Sequence, residues 1–223
     1  MKALILSSLL LATFVMCAQA QLSQLPRRIG QFVYIGRGSC PSVNVAADFD
    51  KDRYLGLWYE IARFPVIYEY KSNCVTAEYS ELENRPETIK VTNTGIKENG
   101  ELSVAVGRAK TPDADEPSKL TVSFGPEILA ALPGFLSRIG FSLPEDDGNY
   151  WILDTDYDNY ALVHSCNQRR GFHTMANWIL SRTPVLDEAV KDAALDVFSG
   201  YGIPIEKFLF TEQSDCWRDE VPE

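Results

Sequence analysis

Five cysteines and two histidines are the side chains of this chain best equipped for chemistry, and their spacing argues against most of it. Gly-x-Ser-x-Gly, His-Glu-x-x-His and phosphate-loop patterns are absent, so the usual nucleophile, zinc and nucleotide sites have no sequence support. His164 and His173 lie too far apart for a helical metal pair, and one falls in a strand, so structural roles are expected for both. Asp113-Ala114-Asp115-Glu116 is an acidic cluster without the calcium-loop pattern and reads as a solvated turn. Neither a metal nor a cofactor is expected. Cys17 lies in an apolar leader, which leaves Cys40, Cys74, Cys166 and Cys216. None belongs to a Cys-x-x-Cys pair, so zinc or redox chemistry is a poor fit. An even number of cysteines behind a leader predicts two structural disulfides, and spacing alone leaves three pairings open.

The leader itself is legible. Met1-Lys2 is a short charged start, Ala3 to Ala18 is nearly all apolar or small, and Ala18-Gln19-Ala20 is a small-x-small cleavage signal. This predicts a signal peptide over 1–20 and a secreted, extracellular chain over 21–223. No later run is long and apolar enough for a membrane helix, and no Asn-x-Ser/Thr sequon is present. The formal charge is −10. Losing Lys2, the only charge in 1–20, takes it to −11. Such acidity disfavours nucleic acid and anionic membranes as partners. A mature chain of this length fits one domain with a sizeable core or an enclosed cavity.

Short strands must position whatever the chain binds. Val75, Ala77 and Tyr79 alternate with polar neighbours, as do Ile89 and Val91, Leu102, Val104 and Val106, and Leu120, Val122 and Phe124. Further strand-like runs are Tyr150 to Leu153, Tyr160 to Val163 and Trp178 to Leu180, with turn signals between. This pattern suggests an antiparallel barrel or a sandwich. One amphipathic helix is expected late: Thr183-Pro184 as N-cap and first position, Leu186, Ala189, Val190, Ala193 and Val197 as the apolar stripe, Gly200 as the stop. A single helix after many strands suits a barrel with a helix packed outside. Ahead of most strands stands Tyr54 to Pro65. There Gly56 permits a tight turn or a close approach, Trp58 supplies a large apolar ring, and a period of two sends Glu60, Ala62 and Phe64 to the side of Trp58.

Gly56-Leu57-Trp58-Tyr59-Glu60-Ile61 resembles the first signature of the lipocalins. Thr155-Asp156-Tyr157 and Arg182 are similar to the second and third signatures, in the right order. Tyr150 to Leu153, Asn159 to Val163 and Trp178 to Arg182 extend the likeness toward the group of apolipoprotein D and the bilin-binding lipocalins. The resemblance implies an all-β fold: an eight-stranded antiparallel up-and-down barrel with one C-terminal α-helix packed outside. It also implies the pairing Cys40–Cys166 and Cys74–Cys216, and an Arg182 that covers Trp58 at the closed end. An enzymatic lipocalin of the prostaglandin-isomerase type needs a cavity cysteine, and here every mature cysteine is committed, so no enzyme is expected.

On that frame, periodicity counted from Trp58 and Arg182 assigns the cavity wall. It places Glu60, Ala62 and Phe64 inside on one strand, Leu180, Trp178, Ala176 and Thr174 on another, and Tyr79, Ala77, Asn93, Tyr150 and Ile152 between them. The family's ligand residues correspond to Tyr79, Asn93, Tyr150, Trp178 and Leu180. The implied partner is a small hydrophobic ligand such as a fatty acid, steroid or retinoid, with a bilin pigment as the alternative. Between the fifth and sixth strands, 125–148 is long and apolar. Its Leu132, Phe135 and Leu136 suggest a lid, a structural insertion, or a patch that docks to a membrane or lipoprotein surface. The sequence does not set the ligand's identity or the oligomeric state.

Overall fold

A computed structural model describes residues 32–82, 85–124 and 150–216. Eight strands form the body: β2 (Gly56–Arg63), β3 (Ser72–Leu82), β4 (Arg85–Lys97), β5 (Leu102–Lys110), β6 (Lys119–Phe124), β7 (Tyr150–Thr155), β8 (Tyr160–Arg169) and β9 (Phe172–Ser181). Each pairs antiparallel with the next, and β9 returns to β2, which closes the sheet into an up-and-down barrel. Closure leaves the barrel without an open edge. Two short strands lie alongside: β1 (Tyr34–Arg37) on β9 and β10 (Leu209–Phe210) on β2. Helix α1 (Lys51–Tyr54) leads into β2, and helix α2 (Glu188–Gly200) follows β9.

Two apolar clusters form, one on each face of the sheet. The inner cluster holds Trp58, Tyr79, Val91, Leu120, Ile152, Val163 and Leu180 among others. The outer one holds Leu162, Met175 and Ile179 of the sheet against Ala194 and Phe198 of α2. The alternation along β8 and β9 feeds both, because odd and even positions of one strand point to opposite faces. Alternation does not always put the apolar side in: Leu102, Val104 and Val106 of β5 point outward and are exposed.

Helix α2 starts later than the sequence suggests. Asp187, not Thr183, is its N-cap, with the carboxylate accepting from the amides of Ala189 and Val190. Thr183 is occupied elsewhere, since its hydroxyl donates to the Val185 carbonyl at 2.7 Å. The buried stripe is correspondingly rotated: Ala194 and Phe198 are buried, whereas Ala189 and Ala193 are exposed.

The two disulfides are Cys40–Cys166 and Cys74–Cys216. The first fastens the arm before the barrel to β8. The second fastens the C-terminal tail to β3. That tail fills the place where β2 and β3 part. Their pairing stops at Tyr59↔Thr76. Beyond it the amide of Thr211 donates to the Ile61 carbonyl, and the amide of Cys74 donates to the Glu212 carbonyl. The Gln213 amide nitrogen bridges the carbonyls of Glu60 and Val75, at 2.8 Å each.

Candidate ligand site

The closed end is built on Trp58, which is fully buried. Its indole N–H donates to the Tyr54 carbonyl at 2.9 Å. The Arg182 guanidinium lies 3.7 Å above the ring and donates to the carbonyls of Tyr157, Leu57 and Arg53 at 2.8–2.9 Å. One planar fork thus ties β9 to the β7–β8 turn, to β2 and to α1. Gly56 has φ +97°, and a Cβ there would come within 3.3 Å of Arg182 Nη1. Both facts call for glycine. In the adjoining turn Asp156 accepts from the amides of Asp158, Asn159 and Tyr160. Partial burial works the other way, but these bonds and the Asn159 side chain hold its carboxyl below the usual range.

Above this floor the inner wall carries Tyr79, Ile152 and Leu180 with Ala77, Tyr150 and Trp178. Asn93 sits opposite Ala77 in the ladder and therefore shares its face. Its Oδ1 is buried without a hydrogen-bond partner among the described residues. Three phenols meet within the wall: Tyr79 donates to the Tyr150 hydroxyl at 2.7 Å, and Tyr54 and Tyr150 hydroxyls lie 2.8 Å apart. Burial first, together with the neighbouring phenols or carboxylates, pushes all three well above the ordinary tyrosine range, so they stay neutral donors. Trp178 and Tyr150 face inward yet retain partial exposure, as do Ala77, Val122, Phe124 and Asn93.

Two predicted wall residues are elsewhere. Ala62 and Phe64 belong to the outer cluster, where Phe64 packs on Phe208 and Tyr34 at ring-centroid distances of 4.9 and 5.3 Å. The cause is a β-bulge. Glu60 opposes Leu180 but Ala62 opposes Ile179, so one residue of β2 is unopposed and the parity after it reverses. Glu60, before the bulge, stays on the inner side. Arg63, after it, opposes Trp178 and turns inward too. The segment 125–148, with Leu132, Phe135 and Leu136, lies outside the described residues.

The reversal assembles a buried ionic cluster that the sequence does not announce. Arg63 Nη1 donates to Glu60 Oε1 at 2.7 Å and to Thr211 Oγ1 at 2.9 Å, and Nη2 donates to the Glu69 carbonyl at 2.6 Å. The Thr211 hydroxyl also donates to Glu60. Glu69 stands in the single turn of 3-10 helix Ile67–Glu69, and its Oε2 accepts from the Trp178 indole N–H at 3.3 Å. Burial, then the nearby Glu60, pushes the Glu69 carboxyl well above its ordinary range, against the opposing pull of Arg63 and Trp178. Tyr68 is pushed up by burial and by the charges of the same two carboxyls. Only the break in alternation brings Arg63 to this face, and no glycine at Ile61 or Ala62 marks it.

The histidines lie away from this wall. His164 Nδ1 is 2.7 Å from Asn177 Oδ1 on the outer face, and burial lowers its basicity. His173 Nδ1 meets the Gly38 carbonyl at 3.2 Å. Among the described residues no three His, Cys, Asp or Glu side chains are grouped to hold a metal ion.

The closed barrel and its sequence are similar to known proteins. Residues 49–213 match the model of the lipocalin-like domain. The chain is a lipocalin. It is 38% identical to mouse apolipoprotein D over 188 residues, which is 84% of this chain and 88% of that protein. It is 30% identical to insecticyanin-B of Manduca sexta over 191 residues, 80% of this chain and 81% of the other. Among solved structures, apocrustacyanin C1 is similar with a TM-score of 0.67 at 26% identity, covering 83% of this lipocalin and 95% of that chain. Insecticyanin from the tobacco hornworm Manduca sexta gives 0.64 at 27% identity, covering 83% and 91%.

Proposed function

We propose that this lipocalin is a secreted carrier that holds a small hydrophobic ligand inside the barrel, against Tyr79, Asn93, Tyr150, Ile152, Trp178 and Leu180, with Glu60 at the edge of the site. The observation that carries the reading is the partial exposure of side chains that point inward. A close-packed barrel core would bury Trp178, Tyr150 and Asn93 outright. Here each of the three is only partly buried, and the Tyr150 and Trp178 rings lie 6.3 Å apart on the inner face. A wall of aromatic and aliphatic groups with a few hydroxyls and one amide suits an apolar ligand bearing little polarity. Carriage rather than catalysis follows from the side chains at hand: phenols held neutral, a carboxyl committed to Trp178, and cysteines tied in disulfides.

Extraction of the native protein and mass spectrometry of the released small molecules tests this reading. An apolar compound in near-stoichiometric amount is expected, and a preparation that is empty and also takes up no lipid in titration would refute it. A purified protein with long-wavelength absorbance would assign the alternative, a bilin pigment. Secretion rests on the Ala18-Gln19-Ala20 signal and on disulfides that need an oxidising compartment. The mature protein is expected to begin at Gln21. Docking to membrane or lipoprotein through Leu132, Phe135 and Leu136 is the surface-binding alternative. Replacing the three with Ser would abolish adsorption to neutral vesicles if they dock, and speed ligand release if they form a lid.

A further inference from the structure

The carrier reading leaves the ligand's class open, and the buried charges narrow it. Among the described residues Arg63 is the only buried arginine or lysine, and it is already committed. Glu60 takes its Nη1 and the Glu69 carbonyl takes its Nη2, while its Nε lies 3.6 Å from Glu69 Oε2 as an ion pair and makes no hydrogen bond among the described residues. Two carboxyl side chains thus surround one guanidinium beside the inward-facing Trp178. A ligand carboxylate entering here would be an uncompensated anion beside a cation whose charge Glu60 already offsets, and it would be stripped of water. A neutral oxygen meets the opposite situation. Tyr54, Tyr79 and Tyr150 supply three O–H groups, and the two contacts between them use two, which leaves one donor for a guest. Asn93 Oδ1 is an acceptor with no partner among the described residues.

We propose that the Glu60–Arg63–Glu69 cluster makes this lumen selective for neutral oxygenated lipids, alcohols and ketones, over lipid carboxylates. The inference rests on the carrier reading and concerns the same site. Glu60 and Glu69 act as specificity residues: Glu60 offsets the charge of the one buried cation at 2.7 Å, and Glu69, held toward its protonated form, lines the same place with a group that offers an anion no positive charge. Glu69 meets Arg63 from β2 and Trp178 from β9, and its charge is felt by Glu60 of β2, by Tyr68 of its own turn and by Tyr79 of β3. None of them offers a second positive charge.

Quenching of tryptophan fluorescence by decanol, decanoate and methyl decanoate at neutral pH tests the proposal, because chain length is constant and only the head changes. Decanol is expected to bind on the order of tenfold or more tightly than decanoate, as befits an uncompensated charge at low dielectric. Methyl decanoate should bind close to decanol. The Glu60→Gln/Glu69→Gln protein, which frees Arg63 for a guest, should narrow the gap by strengthening decanoate relative to decanol. Decanoate binding the wild type as well as decanol overturns the proposal. So does an ester as weak as the acid, which would make shape rather than charge the cause, or a gap that persists in a folded double variant. If that variant fails to fold, the comparison of ester with acid in the wild type decides. Binding of none of the three ligands sinks the carrier reading itself, a different result from binding without discrimination.

Discussion

Arg182 joins several elements at the closed end of this barrel. Its stack on Trp58 and its three short bonds to carbonyls act on four elements at once. Replacing it with Ala is expected to cost about 1–3 kcal/mol, from the cation–π contact and the packing of its stem. Lys should restore little of this, because a point charge cannot bridge the same carbonyls. An unchanged melting temperature in Arg182→Ala would contradict the assignment. Glu69 carries a pH signature of known sign. Its folded carboxyl titrates above the ordinary glutamate range, so the fold favours the protonated form. That contribution is complete below the unfolded glutamate pKa and is lost as pH rises through the raised folded value. Denaturation midpoints should therefore decline over that window in the wild type and stay flatter in Glu69→Gln. An identical decline in both proteins would show that another group is responsible. The signatures around Trp58 and Arg182 are readable in sequence because each depends on residue type at fixed spacing. The Glu60–Arg63–Glu69 cluster is not, because it joins a strand, a turn and the C-terminal tail through one bulge.

At the scale of elements, the inner and outer faces of the sheet make separable predictions. Phe64 lies in the outer cluster with Phe198 of α2 and Phe208 rather than in the lumen, so Phe64→Ala is expected to cost about 3–5 kcal/mol of stability and leave ligand affinity of the folded protein unchanged. Tyr79→Ala should do the reverse in emphasis: a loss of affinity that exceeds any loss of stability. Equal effects of both substitutions on affinity would mean that β2 keeps its alternation through Ile61. Strand existence was legible from alternation in β3, β4 and β6, and from short apolar runs in β7, β8 and β9, where β8 and β9 bury both faces. Facing was less so. Leu102, Val104 and Val106 alternate as well as any strand here and yet point to solvent, so period fixes which residues share a face but not which face is inside. The start of α2 misled for a related reason. Thr183 and Asp187 both suit an N-cap, and the choice fell to Asp187 because Thr183 spends its hydroxyl on Val185.

For the whole molecule, closure of the barrel and the two disulfides define one unit. Cys40–Cys166 and Cys74–Cys216 span 126 and 142 residues. In the chain-entropy model each constrains the unfolded chain by about 4 kcal/mol or more. The second has a local consequence as well. It anchors the tail whose Thr211 and Gln213 complete the wall between β2 and β3 and hold Glu60. Removing it with Cys74→Ser/Cys216→Ser should lower the melting temperature and also relax the selectivity that Glu60 imposes, whereas Cys40→Ser/Cys166→Ser should only lower stability. Hydrogen exchange at Thr211 and Cys74 amides would report the loosening directly.

The central claim is that a hydrophobic guest lies against the inner face of this barrel, and photolabelling measures that location directly. A long-chain alcohol carrying a diazirine, irradiated on the protein and mapped by peptide mass spectrometry, is expected to mark Tyr79, Tyr150, Ile152, Trp178 and Leu180, with labelling suppressed by excess decanol. Labels confined to Ala62, Phe64 or the exposed Leu102, Val104 and Val106, or labels that decanol does not displace, would contradict it.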